Sequence, residues 1–333
     1  MHKHFRTCYV SIAATVSLIF ASSVLAQAND YPKSSITVVV PYGAGGNGDL
    51  AARAMSAMTP KLKPLKGASV IVVNRAGAGG LAGSESVLHA KKDGYTLLLA
   101  RVGSHAVEPA LDPKTPYKWD DFTFIGLLQT DPYVCVVKKD SPYTSFKQLL
   151  DAVKAHPGKL TYATSGNMDA SVAFPVSAFL KSGSKPDAAV KVPYKSGLET
   201  TSALLGGYVD FSCNGLTPYL GGIQSGDLRA LIVSTPERVK DLPDVPTVAE
   251  LGMKDLEAVS GWSALYGPPK LPEAVVKIWA SALLELNSDE AWKKKVMSLG
   301  SVPSIMSPEE TREFARKQYA FYRSLSPYMG IGK

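Results

Sequence analysis

Short apolar runs alternate with helical periodicity in the part of the chain that follows the N-terminal region. Between residues 35 and 100, the apolar and polar positions predict strand, helix, strand, helix and strand. The five elements are expected at Ile36 to Val40, Asp49 to Met58, Val70 to Val73, Leu81 to Ala90 and Thr96 to Ala100. Short β-branched strands between helices are typical of a parallel sheet covered on both faces. Ligands of such sheets bind beyond the carboxyl ends of the strands.

The same alternation starts again at Tyr133 and predicts a second α/β unit. Its strands are expected at Tyr133 to Val137, Leu160 to Thr164, Val190 to Pro193, Val209 to Cys213 and Leu228 to Ser234, and its helices at Ser145 to Ala155, Ser171 to Lys181 and Leu198 to Leu205. A strand around Ala258 to Tyr266 and three helices follow. One of these helices begins with a capping box formed by Ser307 and Glu310, with Pro308 at its first position.

Two repeated halves and a return segment predict a two-lobed α/β fold, each lobe a mainly parallel sheet flanked by helices. We expect residues 30–128 and 236–333 in the first lobe and residues 129–235 in the second. The chain would cross between the lobes near Ile125 to Pro132 and again near Ser234 to Glu237. Two such crossings make a hinge.

The N-terminal residues 1–26 are typical of a secretory signal peptide. Lys3 and Arg6 precede an uncharged apolar stretch that ends in small residues, with cleavage expected after Ala26 or Ala28. An uncleaved membrane anchor is the alternative, although several serines interrupt the apolar stretch. We therefore expect a periplasmic protein.

Composition excludes several classes of function. The formal charge of +7 includes Lys3 and Arg6 of the signal, so 7 − 2 = +5 remains, spread along the chain. A scattered positive charge does not indicate a nucleic-acid protein. Cys135 and Cys213 could form a disulfide in an oxidising compartment, but each lies in an apolar strand-like run, and we expect two buried free thiols.

Motifs of enzymes and metal sites are weak. GxSxG, HExxH and a full Walker A loop do not occur. His89, His105 and His156 are too dispersed to suggest a metal centre. We therefore predict no catalytic residue, no metal and no cofactor.

The segment from Pro41 to Asp49 is the strongest candidate for binding. It joins the first strand to the first helix, and its candidate residues are Tyr42, Gly45, Gly46, Asn47 and Gly48. Amides of Gly45 to Gly48 at the positive end of a helix can bind a carboxylate or a phosphate. Two alternatives stay open: a partial GxGxxG dinucleotide motif, and a tight turn in which Asp49 caps the helix.

Other candidates follow the later strands. The third strand ends in Arg101, Ser104 and His105, and arginine suits a bidentate contact with a carboxylate. His105 would need a partner before it could act as a base. Gly77 to Gly80 are expected to serve close packing. In the second lobe the candidates are Ser165, Gly166, Asn167, Met168, Asp169 and Asn214.

In their order and spacing, several short motifs resemble the Bug (TctC-type) periplasmic solute receptors of tripartite tricarboxylate transporters. They include Pro41 to Gly46 with Asp49, Val73 to Gly80, Asp93 to Leu98, Pro157 to Leu160, Val192 to Lys195, Leu204 to Gly207 and Leu242 to Thr247. The resemblance implies a periplasmic-binding-protein (Venus flytrap) fold. It also implies that the loops Tyr42 to Gly48 and Ser165 to Asp169 pinch one ligand carboxylate, partly through water. Inner-membrane transporter subunits would be the partners of a monomeric receptor.

Three departures from the family pattern bear on the ligand. Arg101 stands where the family usually has Ser or Thr, Asn214 where it often has Asp, and Met168 where it often has a small residue. An added cation and a lost anion favour a second carboxylate on the ligand. We therefore expect an aromatic dicarboxylate such as terephthalate, with a citrate-like acid or another organic acid as the alternative. A periplasmic sensing partner would share the fold, and a secreted hydrolase is disfavoured.

Overall fold

The computed structural model describes residues 31–165 and 169–329 of the 333-residue chain. The predicted signal peptide and three predicted site residues, Gly166, Asn167 and Met168, lie outside the described residues. No helix in the described ranges has both the length and the apolar character needed to span a bilayer.

A six-stranded mixed sheet forms the first lobe. Its strands are β1 (Ile36–Val40), β2 (Val70–Asn74), β3 (Thr96–Arg101), β4 (Thr123–Asp131), β10 (Gly261–Gly267) and β11 (Val302–Met306), in the order β11-β4-β10-β3-β1-β2. β1 runs parallel to β2 and β3, whereas β10 is antiparallel to β3 and β4. The helices that belong to it are α1 (Asn47–Met58), α2 (Leu81–Leu88), α3 (Glu108–Leu111), α8 (Glu273–Leu286), α9 (Glu290–Ser298) and α10 (Pro308–Leu325).

A five-stranded sheet forms the second lobe. Its strands are β5 (Tyr133–Lys138), β6 (Thr161–Thr164), β7 (Val190–Pro193), β8 (Phe211–Gly215) and β9 (Leu228–Val233), in the order β7-β6-β8-β5-β9. β6 is parallel to β7 and β8, and β5 is antiparallel to β8 and β9. Its helices are α4 (Phe146–Ala155), α5 (Ala170–Lys181), α6 (Gly197–Leu205) and α7 (Thr217–Gln224).

The predicted two-lobed α/β class is confirmed, although both sheets are mixed and not mainly parallel, and the crossing predicted between Ile125 and Pro132 falls on the last residue of that range. The segment expected to leave the first lobe near Ile125 is β4, a nine-residue strand between β10 and β11. The first crossing lies at Pro132, which separates Asp131 of β4 from Tyr133 of β5. Sequence inspection also missed β11 and α7. The hinge at this crossing is thus much shorter than predicted.

The return path keeps contact with the second lobe beyond β9. Val239, Leu242 and Val245 pack in the same apolar cluster as Val134 of β5. The lobe boundaries at residues 129 and 236 stay a prediction, and these contacts place residues 239–245 against the second sheet.

The helix α10 connects the cores of the two lobes. The predicted capping box at Ser307 and Glu310 is present at its start. Further along, Ala315 and Tyr322 belong to one buried apolar cluster together with Tyr266 of β10 and Phe174 of α5. The C-terminal helix therefore packs on elements of both lobes.

Cys135 and Cys213 form a disulfide, so the expectation of two free thiols is wrong. The reason is the register of β5 and β8, which places the two cysteines directly opposite each other in an antiparallel pair. Each cysteine is fully buried, as expected for an apolar strand. Burial of a cysteine in a strand says nothing about its neighbour across the sheet, which only the fold supplies.

Candidate ligand-binding site between the lobes

The loops predicted to bind ligand lie at facing edges of the two sheets. β1 and β3 are parallel, so the loops that follow Val40 and Arg101 leave the same edge of the first sheet. The parallel strands β6 and β8 likewise end at one edge of the second sheet. A hydrogen bond of 3.2 Å from Asn47 Nδ2 to Thr217 Oγ1 joins the two edges. We call the space between them the cleft.

The glycine-rich loop closes on Asp49. Gly45 adopts a positive φ of 81°, and its N–H donates to Asp49 Oδ2 at 2.9 Å. Arg53 Nε donates to the same carboxylate at 3.0 Å. Burial alone would raise the pKa of Asp49, but the hydrogen bonds from Arg53, Gly45 and Asn74 outweigh it and lower the pKa. The ionised Asp49 carboxylate thus stabilises the turn. The Gly45 amide already donates within the loop and is not available to a ligand.

The N-terminus of α1 presents free amides to the cleft. Gly46 is the N-cap residue, and no side chain among the described residues caps this helix end. The first amides of an α-helix have no partner within the helix. Those of Asn47 and Gly48 can therefore bind an anion, and the positive end of the helix dipole favours one.

Tyr42 packs across the second glycine cluster. A Cβ atom on Gly80 would lie 2.9 Å from Tyr42 Cζ, and one on Gly103 would lie 2.7 Å from the Tyr42 hydroxyl. Gly80 also adopts a positive φ of 100°. Burial raises the pKa of Tyr42, an effect that a hydrogen bond with Ser104 partly offsets. The glycines thus make room for the Tyr42 ring, in keeping with the packing role expected for them.

Arg101 is held in an ion pair. Its Nη1 lies 2.8 Å from Asp131 Oδ2 and donates to Ser263 Oγ at 2.6 Å. The other carboxylate oxygen of Asp131 accepts hydrogen bonds from Gln129 Nε2 at 3.0 Å and Ser301 Oγ at 2.7 Å. The sequence argument treated Arg101 as an added cation without a counter-ion, and that premise is wrong because Asp131 balances its charge.

Ser104 and His105 lie in the core of the first lobe. Both are fully buried, and Ser104 Oγ is 2.9 Å from His105 Nδ1. The rings of Tyr117, Phe122 and Tyr266 surround the imidazole. Burial lowers the pKa of His105 to about 3, so the ring is neutral near pH 7. In this structure the two residues serve packing, and neither prediction of a ligand contact is supported.

The second-lobe loop already holds an anion of its own. Asp169 is the N-cap of α5 and accepts hydrogen bonds from the Ser171 amide at 3.0 Å and from Ser165 Oγ at 2.7 Å. Asp169 lies at a helix start, as the sequence predicted, where its charge complements the helix dipole. The matching anion site of the second lobe stays a prediction, because Gly166, Asn167 and Met168 lie outside the described residues.

Asn214 offers a donor at the second-lobe edge of the cleft. Its Oδ1 accepts from the Gly215 amide at 2.8 Å, which fixes the side chain. Its Nδ2 is buried and makes no hydrogen bond of good geometry to the residues that the structure describes, although the side chain is near enough to the Tyr219 hydroxyl to offset part of the rise that burial causes in the pKa of Tyr219. A buried donor left without a partner costs about 1–3 kcal/mol, so a ligand acceptor here would be stabilising.

Sequence reasoning missed two residues at the cleft. Thr217 begins α7 and, besides accepting from Asn47, donates to Leu299 O at 2.7 Å. Tyr133 begins β5 directly after the crossing. Burial raises the pKa of Tyr133, and the charge of Asp169 adds to this effect. The position of Tyr133, at the start of a strand directly after a proline, could have identified it from the sequence. No sequence signal distinguished Thr217.

A separate groove lies between the segment that follows β9 and the end of α9. Its volume is about 930 Å³, and its walls include Pro236, Val239, Met297, Val302 and Phe314. None of the described residues predicted to bind ligand lines it. The described residues also contain no group of three or more His, Cys, Asp or Glu side chains that could hold a metal ion.

A two-lobed α/β fold with helix-end loops from both lobes at one cleft is that of the periplasmic solute-binding proteins. Residues 51–326 match the tripartite tricarboxylate transporter family receptor (TctC), and the chain belongs to this family. It is 34% identical over 293 residues to a UPF0065 protein of Agrobacterium vitis, covering 86% of this chain and 82% of that protein. It is 30% identical to BugT of Bordetella pertussis, covering 91% and 92%.

Solved structures agree with this family. The periplasmic binding protein BugD is 29% identical with a TM-score of 0.75, covering 91% of this chain and 100% of BugD. An R. palustris protein solved with adipate is 25% identical with a TM-score of 0.79, covering 91% and 99%. MatC from Rhodopseudomonas palustris, solved with malate, is 26% identical with a TM-score of 0.74, covering 89% and 100%. The chain is a TctC/Bug-type periplasmic solute-binding receptor for small carboxylates, with membrane transporter partners, and not an enzyme.

Proposed function

We propose that this receptor closes its lobes on a carboxylate whose far end is also polar, with aromatic dicarboxylates of the terephthalate kind as the first class to test. The observation that carries the proposal is the uncapped N-terminus of α1 beside Arg101. A Cβ atom on Gly48 would lie only 3.2 Å from Arg101 Cδ, so the two groups are neighbours. One end of the ligand would meet amides and the other a guanidinium.

The first carboxylate would bind at the start of α1. Burying a carboxylate is costly unless hydrogen-bond donors replace its water. The amides of Asn47 and Gly48 supply such donors from the first lobe, and Asn214 Nδ2 supplies one from the second. Donors from both lobes stabilise the closed form over the open form, which is how a ligand drives closure.

The far end of the ligand would meet Arg101. Nη1 is engaged by Asp131 and Ser263, while Nε and Nη2 bond no acceptor among the described residues. The neighbours solved with adipate and with malate hold dicarboxylates in the same fold. The half-buried ring of Tyr42, in the loop that follows β1, suits a flat apolar body, which supports an aromatic acid.

Titration calorimetry and thermal shift with terephthalate, phthalate, protocatechuate, citrate, adipate and malate test the proposal. A ligand at 100 times its Kd stabilises the folded receptor by about 2.7 kcal/mol, which a melting curve resolves. Asn214→Ala should weaken the best ligand about tenfold by removing a buried donor. Asn287→Ala, on the exposed end of α8, is the matched control and should change nothing. Lack of binding by all six acids would contradict the proposal.

Delivery to a transporter is tested in cells. Deletion of the gene should abolish uptake of the acid identified in vitro, and the wild-type gene should restore it. Normal uptake with altered gene induction would instead select the sensing role.

A further inference from the structure

We propose that Asp131 is a positioning residue that sets what the receptor accepts beside Arg101, so that the far end of the ligand can be a neutral acceptor as well as a second carboxylate. This inference rests on the proposed function. Asp131 was not among the residues expected at the site, and its buried ion pair with Arg101 places it there.

Asp131 and Arg101 meet across a strand. Arg101 ends β3 and Asp131 ends β4, with β10 between them. The Asp131 side chain is 3% exposed and that of Arg101 is 13% exposed. Ser301 and Gln129 hold the second oxygen of the carboxylate. Asp131 therefore has no room to turn away, and the pair persists as a fixed element of the cleft floor.

The ion pair with Asp131 also orients the Arg101 guanidinium. Arginine carries five N–H donors in a rigid planar fork. Nη1 donates to Ser263, and its contact with Asp131 Oδ2 is an ion pair without hydrogen-bond geometry, so this end of the fork is anchored. The side chain passes over Gly48, with Nε 3.6 Å from where a Cβ atom of residue 48 would lie. Nε and Nη2 are thus held next to the amides proposed for the first carboxylate.

Charge balance then decides the selectivity. A carboxylate that accepts from Nε and Nη2 would be attracted by Arg101 in direct contact and repelled by Asp131, which lies at Nη1 and therefore further away. The repulsion cancels part of the attraction, whereas the hydrogen bonds remain. A neutral oxygen can accept the same hydrogen bonds. The cleft should therefore bind a monocarboxylate with an amide at its far end about as well as the corresponding diacid.

Matched ligand pairs test this inference. Terephthalate is compared with 4-carbamoylbenzoate, and adipate with its monoamide, by titration calorimetry at fixed ionic strength. In the wild-type receptor we expect each pair to differ in Kd by less than about fivefold, because the pair of charges is neutral. Asp131→Asn keeps the shape but frees the charge of Arg101, and the preference for the diacid should rise about tenfold or more.

A double-mutant cycle shows whether Asp131 acts through Arg101. In an Arg101→Met background, Asp131→Asn should leave the ratio of the two Kd values unchanged. A merely structural role would instead weaken both ligands of a pair equally in either background. The wild-type ratio needs no variant, so the inference stays testable even if Asp131→Asn does not fold.

The outcomes are separable. A wild-type preference for the diacid above about 50-fold, or a ratio that Asp131→Asn leaves unchanged, would overturn this inference while leaving a carboxylate receptor in place. If none of the four ligands binds, and none of the acids in the wider panel does either, the proposed function fails and this inference fails with it.

Discussion

Asn47 of the first lobe donates a hydrogen bond to Thr217 of the second lobe at 3.2 Å, and the Thr217 hydroxyl in turn donates to Leu299 O at 2.7 Å. One hydroxyl group thus contacts two separate segments of the opposite lobe. These bonds exist only when the lobes are close together, so they favour the closed form over the open form.

Thr217→Ala should weaken ligand binding by making closure less favourable. Two hydrogen bonds of about 1 kcal/mol each are lost, and we expect a Kd up to about 30-fold higher for the best acid of the panel, measured by calorimetry. Thr201→Ala is the matched control, because the Thr201 hydroxyl donates to Gly197 O and Pro218 O, both within the second lobe. Equal affinities of the two variants would show that this contact does not assist closure.

Asp49→Ala should loosen the glycine loop. The variant leaves the Gly45 amide without its acceptor and removes a buried carboxylate, so we expect the free energy of unfolding to fall by about 1–3 kcal/mol in urea titrations. Glu273 forms an i,i+4 pair with Lys277 like that of Asp49 with Arg53, but on the surface. Glu273→Ala should leave the urea midpoint unchanged. The same midpoint for both variants would refute the bracing role.

The buried His105 should make the receptor sensitive to acid. Its folded-state pKa of about 3 lies below the ordinary value of 6.5. As the pH falls from 6.5 towards 3, the unfolded chain binds a proton that the folded protein excludes, so this contribution to stability is present above pH 6.5 and is lost on acidification.

The effect of His105 is at most about 1.4 kcal/mol per pH unit. His105→Gln should remove the contribution of His105 to the dependence of the unfolding free energy on pH. The unfolding free energy is measured by urea titrations at about six pH values between pH 4 and pH 7. His156→Gln, at the exposed end of α4, should keep the slope of the wild type. A wild-type slope in His105→Gln would contradict the assignment.

The disulfide should stabilise the second lobe. It joins residues 78 positions apart, and we expect its loss in Cys135→Ala/Cys213→Ala to cost about 2–4 kcal/mol of unfolding free energy. Reductant should destabilise the wild type by a similar amount and leave the double variant unaffected. If reductant lowers the stability of both proteins equally, the two cysteines are not bonded to each other in solution.

The sequence predicted those helices and strands whose periodicity and capping residues lie within the element itself. β1, β3 and the helices between them carry their own periodicity, and the capping box at Ser307 marks the start of α10. β4 was missed because its last residues, Gln129 to Asp131, are polar and precede a proline, as in a linker. Their partners are β10 and β11, which lie far along the chain, and only the folded sheet brings them together.

The candidate site divides in the same way. The glycine loop was recognised from the sequence because the residues that form a turn before a helix are adjacent in the chain. The structure contains both the tight turn at Asp49 and a helix N-terminus without a side-chain cap. The pairing of Arg101 with Asp131 was not visible, since it depends on strand order. The charge argument for the ligand was therefore incomplete.

A single residue, Pro132, joins β4 of the first lobe to β5 of the second. The second lobe can swing only about a pivot at this point and at the return strand, and atoms near a pivot move least. Asp131 and the guanidinium beside it lie at this pivot, and the start of α7 lies close to it as well, because the Leu216 amide donates to Pro132 O at 2.8 Å. A ligand that contacts Arg101 or Thr217 therefore keeps that contact while parts of the lobes further from Pro132 move towards it.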